Sequence, residues 1–582
     1  MTADELRKKA RLWADADPDE STSSAVNALI RQDDLSALSD LFDGELAFGT
    51  AGLRATVGPG PKQMNRAVVL RTTWGLVQHL RESQSEASSL IVVGFDARHS
   101  SEALARDVLA VFRAAGMTVR FFDEPVPTPL VVFSATHLSA ALAVVITASH
   151  NPAEYNGYKV YGAGGAQIVP PVDRNICDAA YRAGPARDVP AKYVHDGLGT
   201  AGSGTHGLGT EAERLSAEME NAFRAAIVAG LPAAVGDSEI HVAYTPLHGV
   251  GGDCMLRALS QCGYSRVDVV SEQMAPNGDF PTTPFPNPEE DGSLDLVVEL
   301  AQRVNADLVL ANDPDADRLA VAVRDGNALV TLNGNQLGVL LADSVLEQLN
   351  EEQRGRALVL STVVSSPMLR VMADSYGVRY ESTLTGFKWI FACGTALERE
   401  GKELVFAYEE AIGFCVGGAV RDKDGIGAGC AVVRMAAGLK AAGQTLNHRL
   451  RDLYQRYGLW VSCQRVVQLE PTVSLEQVER ALDQLRDAAP NWDGIPQSVV
   501  IDYRDGAGER PAWLGRTSLV EFRYGESLRV LIRPSGTEPK LKVYVDLRAA
   551  DSELPDAEDQ VMALAENYAV GFAKALERAV SD

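Results

Sequence analysis

Short apolar runs rich in β-branched residues recur along most of this chain, each followed by a helical pattern. That rhythm restricts the fold more than any single motif does. Residues 90–95 read as a strand and 101–115 as a helix, with further strands at 119–122 and 141–146. The pattern returns with strands at 240–244, 267–270 and 307–311 and a helix after Gly252, and again with strands at 357–361, 379–383 and 403–408. Alternation of this kind predicts mixed or parallel sheets covered by helices. The last segment differs: 498–502, 518–524, 528–532 and 541–547 read as an antiparallel meander followed by a long helix.

A chain of 582 residues is too long for one core. The expected class is α/β: three similar α/β domains with mixed sheets, then a C-terminal α+β domain. The expected boundaries are a helical extension at 1–40, domain I at 41–210, domain II at 211–325, domain III at 326–460 and domain IV at 461–582. With 54 basic against 78 acidic residues the formal net charge is −24. Such a field disfavours nucleic acid and anionic membrane as partners, so an anionic substrate needs a local cluster of cations. Seven scattered cysteines with no CxxC spacing argue against a disulfide framework or a structural zinc site. The N-terminal residues lack a signal-peptide core and no long apolar run occurs, so a cytoplasmic protein is expected.

Two nucleotide signals fail. Residues 202–207 match GxGxxG but follow no strand and open no helix, and no GxxxxGK[ST] loop exists.

Three strand ends carry chemistry instead. The run 141–146 stops at Thr147-Ala148-Ser149-His150-Asn151-Pro152, where a serine hydroxyl can accept a phosphoryl or acyl group if His150 or Lys159 manages its proton. A polar turn explains the same residues. After the strand at 307–311, Asp313, Asp315 and Asp317 alternate. In an extended segment the three side chains point one way and need a cation among them, and hard oxygen ligands without His or Cys suit Mg²⁺. An EF-hand fails because its sixth and twelfth positions would be Arg318 and Arg324; an acidic solvated turn is the remaining alternative. Arg533-Pro534-Ser535-Gly536-Thr537 offers an arginine fork, two hydroxyls and a glycine to an anion, or is a plain hairpin loop. Glu409 and Glu410 at another strand end suit sugar hydroxyls, and Arg54 follows the loop Phe48–Leu53.

Taken in order, FGTAGLR, GFDARHSS, TASHNPAEYNGYK, NDPDADR, EEAIG and RPSGTEPK resemble the loops of the α-D-phosphohexomutase superfamily of phosphoglucomutases and phosphomannomutases. The likeness runs from about Glu45 to the C-terminal helix. The stretch Thr383–Trp389 (TLTGFKW) is similar to the branch containing bacterial phosphoglucomutases of this length, phosphopentomutases and glucose-1,6-bisphosphate synthases. The resemblance implies four domains around a central cleft, Ser149 carried as phosphoserine, and Mg²⁺ held by Asp313, Asp315, Asp317 and the Ser149 phosphoryl oxygen. It implies substrate binding by Arg318, Thr385, Gly386, Lys388, Glu409, Glu410, Arg533, Ser535, Gly536 and Thr537. Lys159 and Arg54 match a family lysine and arginine beside the phosphoserine, Lys423 resembles a proton manager of some branches, and His150 is adjacent to Ser149; as acid–base residue Lys159 is ranked first, His150 next and Lys423 third. A histidine that follows the sugar loop in other branches is missing, since Gly413-Phe414-Cys415 stands there.

The function so implied is a phosphosugar mutase interconverting glucose 1-phosphate and glucose 6-phosphate, activated by glucose 1,6-bisphosphate and working as monomer or homodimer. Phosphomannomutase and phosphopentomutase are alternatives within the class. A sugar-phosphate phosphatase and a non-catalytic sensor are alternatives outside it.

Overall fold

The computed structural model describes residues 1–49, 51–83, 89–194, 208–215, 217–233, 236, 238–470, 473–492, 497–505, 508, 510–534, 540–549 and 558–581. The chain divides into two compact units. One comprises 1–231, 239–324 and 415–434; the other comprises 232–238, 325–414 and 435–582.

The first unit begins with three helices, Ala3–Ala16, Glu20–Gln32 and Leu35–Phe42. Thr2 and Glu5 form a reciprocal capping box at the start of the first. The three bury a small core of their own, with Leu6, Ala10, Val26, Leu38 and Phe42 at its centre. Two α/β layers follow. In the first sheet the spatial order is Leu53–Thr56, Tyr155–Gly162, Leu142–Ile146, Leu90–Phe95, Thr118–Phe121. Leu142–Ile146 runs parallel to Leu90–Phe95 and antiparallel to Tyr155–Gly162. All five residues of Leu142–Ile146 are buried, which is why it reads as an unbroken apolar run rather than an alternating one. The helix Ser101–Ala114 covers this sheet through Leu104, Val108, Val111 and Phe112, spaced three and four apart on one stripe.

The second layer repeats that plan. Leu308–Asn312 runs parallel to Val242–Thr245 and antiparallel to Leu319–Asp325, and Val267–Val269 lies on the far side of Val242–Thr245. In the second unit, Ala357–Thr362 lies parallel to both Arg379–Thr383 and Glu403–Glu409. Leu142–Ile146, Leu308–Asn312 and Glu403–Glu409 therefore hold the same place in three similar sheets. Their carboxyl ends carry Ser149, Asp313 and Glu409 in turn.

The rest of the second unit holds a five-stranded antiparallel sheet in the order Trp460–Gln468, Lys540–Arg548, Leu528–Pro534, Val520–Tyr524, Gln497–Asp502. The first of these adds an edge strand to the four-stranded meander that the sequence predicts. The helix Glu558–Ser581 packs its Phe572 and Tyr568 against Phe522 and Trp492. The GxGxxG match at 202–207 lies outside the described residues. Among the described residues no single helix is long and apolar enough to cross a membrane.

Candidate active site

The buried strand Leu142–Ile146 gives way to Thr147-Ala148-Ser149. Ser149 sits in the left-handed region at φ 54°, a conformation that costs a non-glycine residue of order 1–3 kcal/mol unless its surroundings enforce it. They do. The Ser149 amide donates to Thr147 Oγ1 at 2.8 Å. Arg98, only 1% exposed, donates to the carbonyls of Ser149 (2.7 Å), Pro152 (2.6 Å), Tyr155 (3.0 Å) and Asn151. Its charge is met by Asp96 at 3.2 Å and by the face of Phe280 at 5.0 Å. Arg98 lies in the GFDARHSS stretch, of which the sequence reading names no site residue. An arginine two residues past an aspartate at a strand end was the available signal.

The Asp segment is a tight turn rather than the extended stretch expected. Ala316 has φ 57° and its amide donates to Asp313 O at 2.9 Å. Convergence of the three carboxylates thus comes from the turn and not from strand pleating. Their ligand oxygens lie within 4.8 Å of one another, and all three side chains are buried. Ser149 Oγ donates to Asp313 Oδ2 at 2.8 Å, joining the strand end of the first sheet to that of the second. Asp313 Oδ1 accepts from the Arg318 amide at 3.0 Å, and Asp315 Oδ2 accepts from Thr128 Oγ1 at 2.7 Å. Thr128 carries no sequence signal of its own.

Lys159 Nζ donates to Asp315 Oδ2 at 2.7 Å and Asp317 Oδ2 at 2.8 Å. Lys423 Nζ lies 3.3 Å from Asp317 Oδ2 and 3.6 Å from Asp422 Oδ1. Burial raises the Asp313 and Asp315 carboxyls, and the neighbouring Asp317 charge adds to it. Burial would raise Asp317 too, but Lys159, Lys423 and Arg318 hold it well below the usual carboxylate range. Asp315 Oδ1 and Asp317 Oδ1 are buried with no hydrogen-bond partner. Two orphaned carboxylate oxygens beside a third carboxylate fit a hard divalent cation, so the residues present suit a metal.

His150 lies beside Ser149, with Nδ1 3.4 Å from Ser149 Oγ and 3.9 Å from Asp313 Oδ2. Burial, together with the Arg318 and Arg54 charges, holds the imidazole well below its ordinary range and therefore neutral. Burial would lower the Lys159 ammonium, but Asp315 and Asp317 raise it above its ordinary value. Arg54 Nη1 donates to Asn151 Oδ1 at 3.1 Å, bracing the same loop. The structure so brings Ser149, His150, Lys159, Arg54, Lys423, Arg318 and the Asp triplet together within one unit.

In the second unit, Gly386 takes φ 106° as the cap of the helix Phe387–Glu398, with Lys388 in its first turn. Arg533 Nη1 donates to Thr385 Oγ1 at 3.0 Å, and its guanidinium lies 5.9 Å from the centre of the Tyr544 ring. Glu410 Oε2 accepts from Thr362 Oγ1 at 3.0 Å and Ser365 Oγ at 3.3 Å, and Glu409 beside it is buried. Ser535, Gly536 and Thr537 lie outside the described residues.

Four family descriptions match the chain in order. They are the phosphoglucomutase/phosphomannomutase alpha/beta/alpha domains I, II and III at 45–185, 222–326 and 333–457, and the C-terminal domain of the same family at 473–564. The chain belongs to the phosphoglucomutase/phosphomannomutase family. As a member of this family, within the α-D-phosphohexomutase superfamily, it is an isomerase of the intramolecular phosphotransferase type. It is 34% identical to the probable phosphoribomutase of Schizosaccharomyces pombe, over 93% of each chain. It is 32% identical to the phosphopentomutase of Homo sapiens, over 94% of this chain and 92% of that one. The fold is shared with pp63/parafusin, a phosphoglucomutase of Paramecium solved in an open form, at a TM-score of 0.68 and 17% identity, over 92% of this chain and 96% of the other.

Proposed function

We propose that this family member is a phosphosugar mutase that interconverts glucose 1-phosphate and glucose 6-phosphate through phosphorylated Ser149 and a sugar bisphosphate. The observation that carries the reading is the 2.8 Å hydrogen bond from Ser149 Oγ to Asp313 in a buried cluster of three carboxylates and several cations. Asp313, Asp315 and Asp317, with a phosphoryl oxygen on Ser149, would hold Mg²⁺, which supplies charge neutralisation to the transferring group.

The chain's own residues account for the rest. Arg98 and Thr147 fix the Ser149 backbone, so Oγ keeps one direction through both half-reactions. Phosphoryl passes from Ser149 Oγ to a sugar hydroxyl, and the hydroxyl proton needs an acceptor. Neutral His150 is the group beside Ser149 with an open lone pair at neutral pH; Lys159, tied to two carboxylates, keeps its proton and balances charge. Arg54 and Lys423 add positive charge around a trianionic transition state. In the second unit, Glu409 and Glu410 suit sugar hydroxyls. Arg533, Lys388, Thr385 and Gly386, with Ser535, Gly536 and Thr537, suit the phosphate that is not being transferred. The bisphosphate then turns over and returns its other phosphate to Ser149.

A second reading exchanges glucose for a pentose phosphate. It is favoured by the S. pombe and human relatives, which carry phosphoribomutase and phosphopentomutase names over nearly their full lengths. The test is a panel of glucose, mannose, ribose and deoxyribose 1-phosphates with a trace of the matching bisphosphate. A mutase converts its sugar with inorganic phosphate constant, and kcat/KM ranks the sugars. Steady phosphate release would make the protein a phosphatase instead.

A further inference from the structure

The strand Tyr155–Gly162 is buried along both faces. Tyr158 and Val160 join the apolar core of the first sheet, so Lys159 and Tyr161, two residues apart, share the opposite face. From that face Lys159 reaches Asp315 and Asp317, while the fully buried Tyr161 donates its hydroxyl to Asp422 Oδ2 at 2.7 Å. Gln167 Nε2 donates to the same oxygen at 2.8 Å. Asp422 Oδ1 accepts from the Lys423 amide at 2.8 Å. Lys423 Nζ then stands between two carboxylates, 3.3 Å from Asp317 Oδ2 and 3.6 Å from Asp422 Oδ1. The contacts close a ring through Lys159, Asp317, Lys423, Asp422 and Tyr161, whose first and last members lie on one strand face. We propose that Tyr161 and Asp422 are positioning residues that hold Lys423 beside the Asp triplet while the phosphoryl group moves. The proposal rests on the reading that Lys423 adds positive charge to that transfer.

Lys423 needs such a holder because it belongs to neither of the sheets that carry Ser149 and the Asp triplet. It stands on the loop between the strand Gly413–Val416 and the helix Gly425–Ala441. An ammonium on a flexible four-carbon stem has no direction of its own. The loop is gripped from two sides. On one side Gly425 packs so closely on the end of the Asp turn that a Cβ would lie 2.3 Å from Arg318 O and 2.6 Å from Asn312 Nδ2. On the other, Tyr161 and Gln167 hold Asp422 from the first sheet and the segment that follows it.

Asp422 is buried, and a carboxylate in that setting persists only where donors and an opposite charge meet it. Its donors come from Tyr161 and Gln167, and its opposite charge is Lys423. It therefore fixes the lysine twice, through the backbone amide and through the ammonium. A tyrosine that only filled space at 161 would be replaced by phenylalanine without consequence for the rate. Here the hydroxyl is the atom that meets Asp422.

The test is a double-mutant cycle on the full-length protein with Tyr161→Phe, Lys423→Met and the pair. The readouts are kcat and KM for glucose 1-phosphate, or for ribose 1-phosphate if the substrate panel ranks it first. Tyr161→Phe is expected to lower kcat about tenfold with KM unchanged, through misplacement of a charge beside the reacting group. In the Lys423→Met background the same change should lower kcat by less than about twofold, because the group it acts through is gone. Asp422→Asn, which keeps the shape and loses an acceptor, should show the same dependence on Lys423. Equal fold losses with and without Lys423 would make Tyr161 and Asp422 packing residues and overturn the proposal. Wild-type kcat in Tyr161→Phe and Asp422→Asn beside a slow Lys423→Met would overturn it too, leaving the role of Lys423 intact. Wild-type kcat in Lys423→Met would remove the role of Lys423 itself, and the proposal with it.

Discussion

Lys159 Nζ sits between Asp315 Oδ2 at 2.7 Å and Asp317 Oδ2 at 2.8 Å, with all three side chains buried. The lysine is therefore a fixed cation. Its raised value means that its charge, and the stability that goes with it, is complete below the ordinary lysine value near 10.4 and is lost as pH climbs through the higher folded value. Lys159→Met leaves buried Asp315 without its ion-pair partner and Asp317 with Lys423 alone in salt-bridge reach, which costs on the order of 3 kcal/mol. We expect a lower thermal midpoint and at least a hundredfold loss of kcat, with Lys159→Arg recovering the midpoint better than the rate.

Metal dependence follows from the orphaned oxygens of Asp315 and Asp317. A cation that binds only the folded state raises the unfolding midpoint as its concentration rises. Millimolar Mg²⁺ should raise the midpoint of the wild type and should barely move that of an Asp315→Asn, Asp317→Asn double variant. Chelation should stop turnover, and added Mg²⁺ should restore it.

Arg98 tests whether the strained Ser149 backbone matters. Arg98→Met removes donors to four carbonyls of one loop and leaves Asp96 buried without its counter-ion. The expected result is a loss of about 3 kcal/mol in stability and a drop in kcat of more than tenfold with KM little changed. A variant with normal kcat would show that the loop keeps its shape without the clamp.

Asp424 gives a pH signature. It caps the helix Gly425–Ala441 by accepting from the amides of Ile426 at 3.0 Å and Gly427 at 2.9 Å. Burial nevertheless pushes its carboxyl up to about 6. The folded state then binds this proton more tightly than the unfolded state, so stability falls as pH rises from about 4 to 6 and stays lower above. Asp424→Asn keeps the cap and removes the titration. The variant should be more stable than wild type at pH 8 by about 2 kcal/mol, with the difference shrinking towards pH 4. Parallel pH profiles of the two proteins would contradict this.

Arg533→Gln tests the phosphate reading in the second unit. Losing a charged hydrogen-bond donor to phosphate costs about 2 kcal/mol. KM for the sugar phosphate should rise at least tenfold, while Ser149 still accepts phosphate from a bisphosphate.

Much of this is legible in the amino-acid sequence. The strand at 90–95 stands where its apolar run places it, since an inner strand buried along nearly its whole length leaves no ambiguity of face. Ser149 and the Asp triplet were visible because polar residues directly after such runs are costly unless they are used. What periodicity cannot show is the conformation past the strand end. The Asp carboxylates meet through a left-handed residue at Ala316 rather than through a pleat. By sequence Lys159 ranks ahead of His150 as proton manager, whereas burial holds His150 neutral and the Asp315 and Asp317 charges hold Lys159 protonated. Thr128 is illegible for a related reason, since its partner Asp315 lies 187 residues away in the chain and no local pattern encodes such a pairing; for Arg98 the local pairing with Asp96 is legible and the loop carbonyls 51 or more residues away are not.

The central claim is that Ser149 carries the phosphoryl group. The direct measurement is incubation with glucose 1,6-bisphosphate labelled in its phosphates, followed by mapping of the label on the protein and a chase with unlabelled sugar monophosphate. The account predicts label on Ser149 alone, at no more than one per chain, discharged into sugar phosphate rather than inorganic phosphate, with Ser149→Ala unlabelled and inactive. Label on another residue, or full turnover by Ser149→Ala, would contradict it.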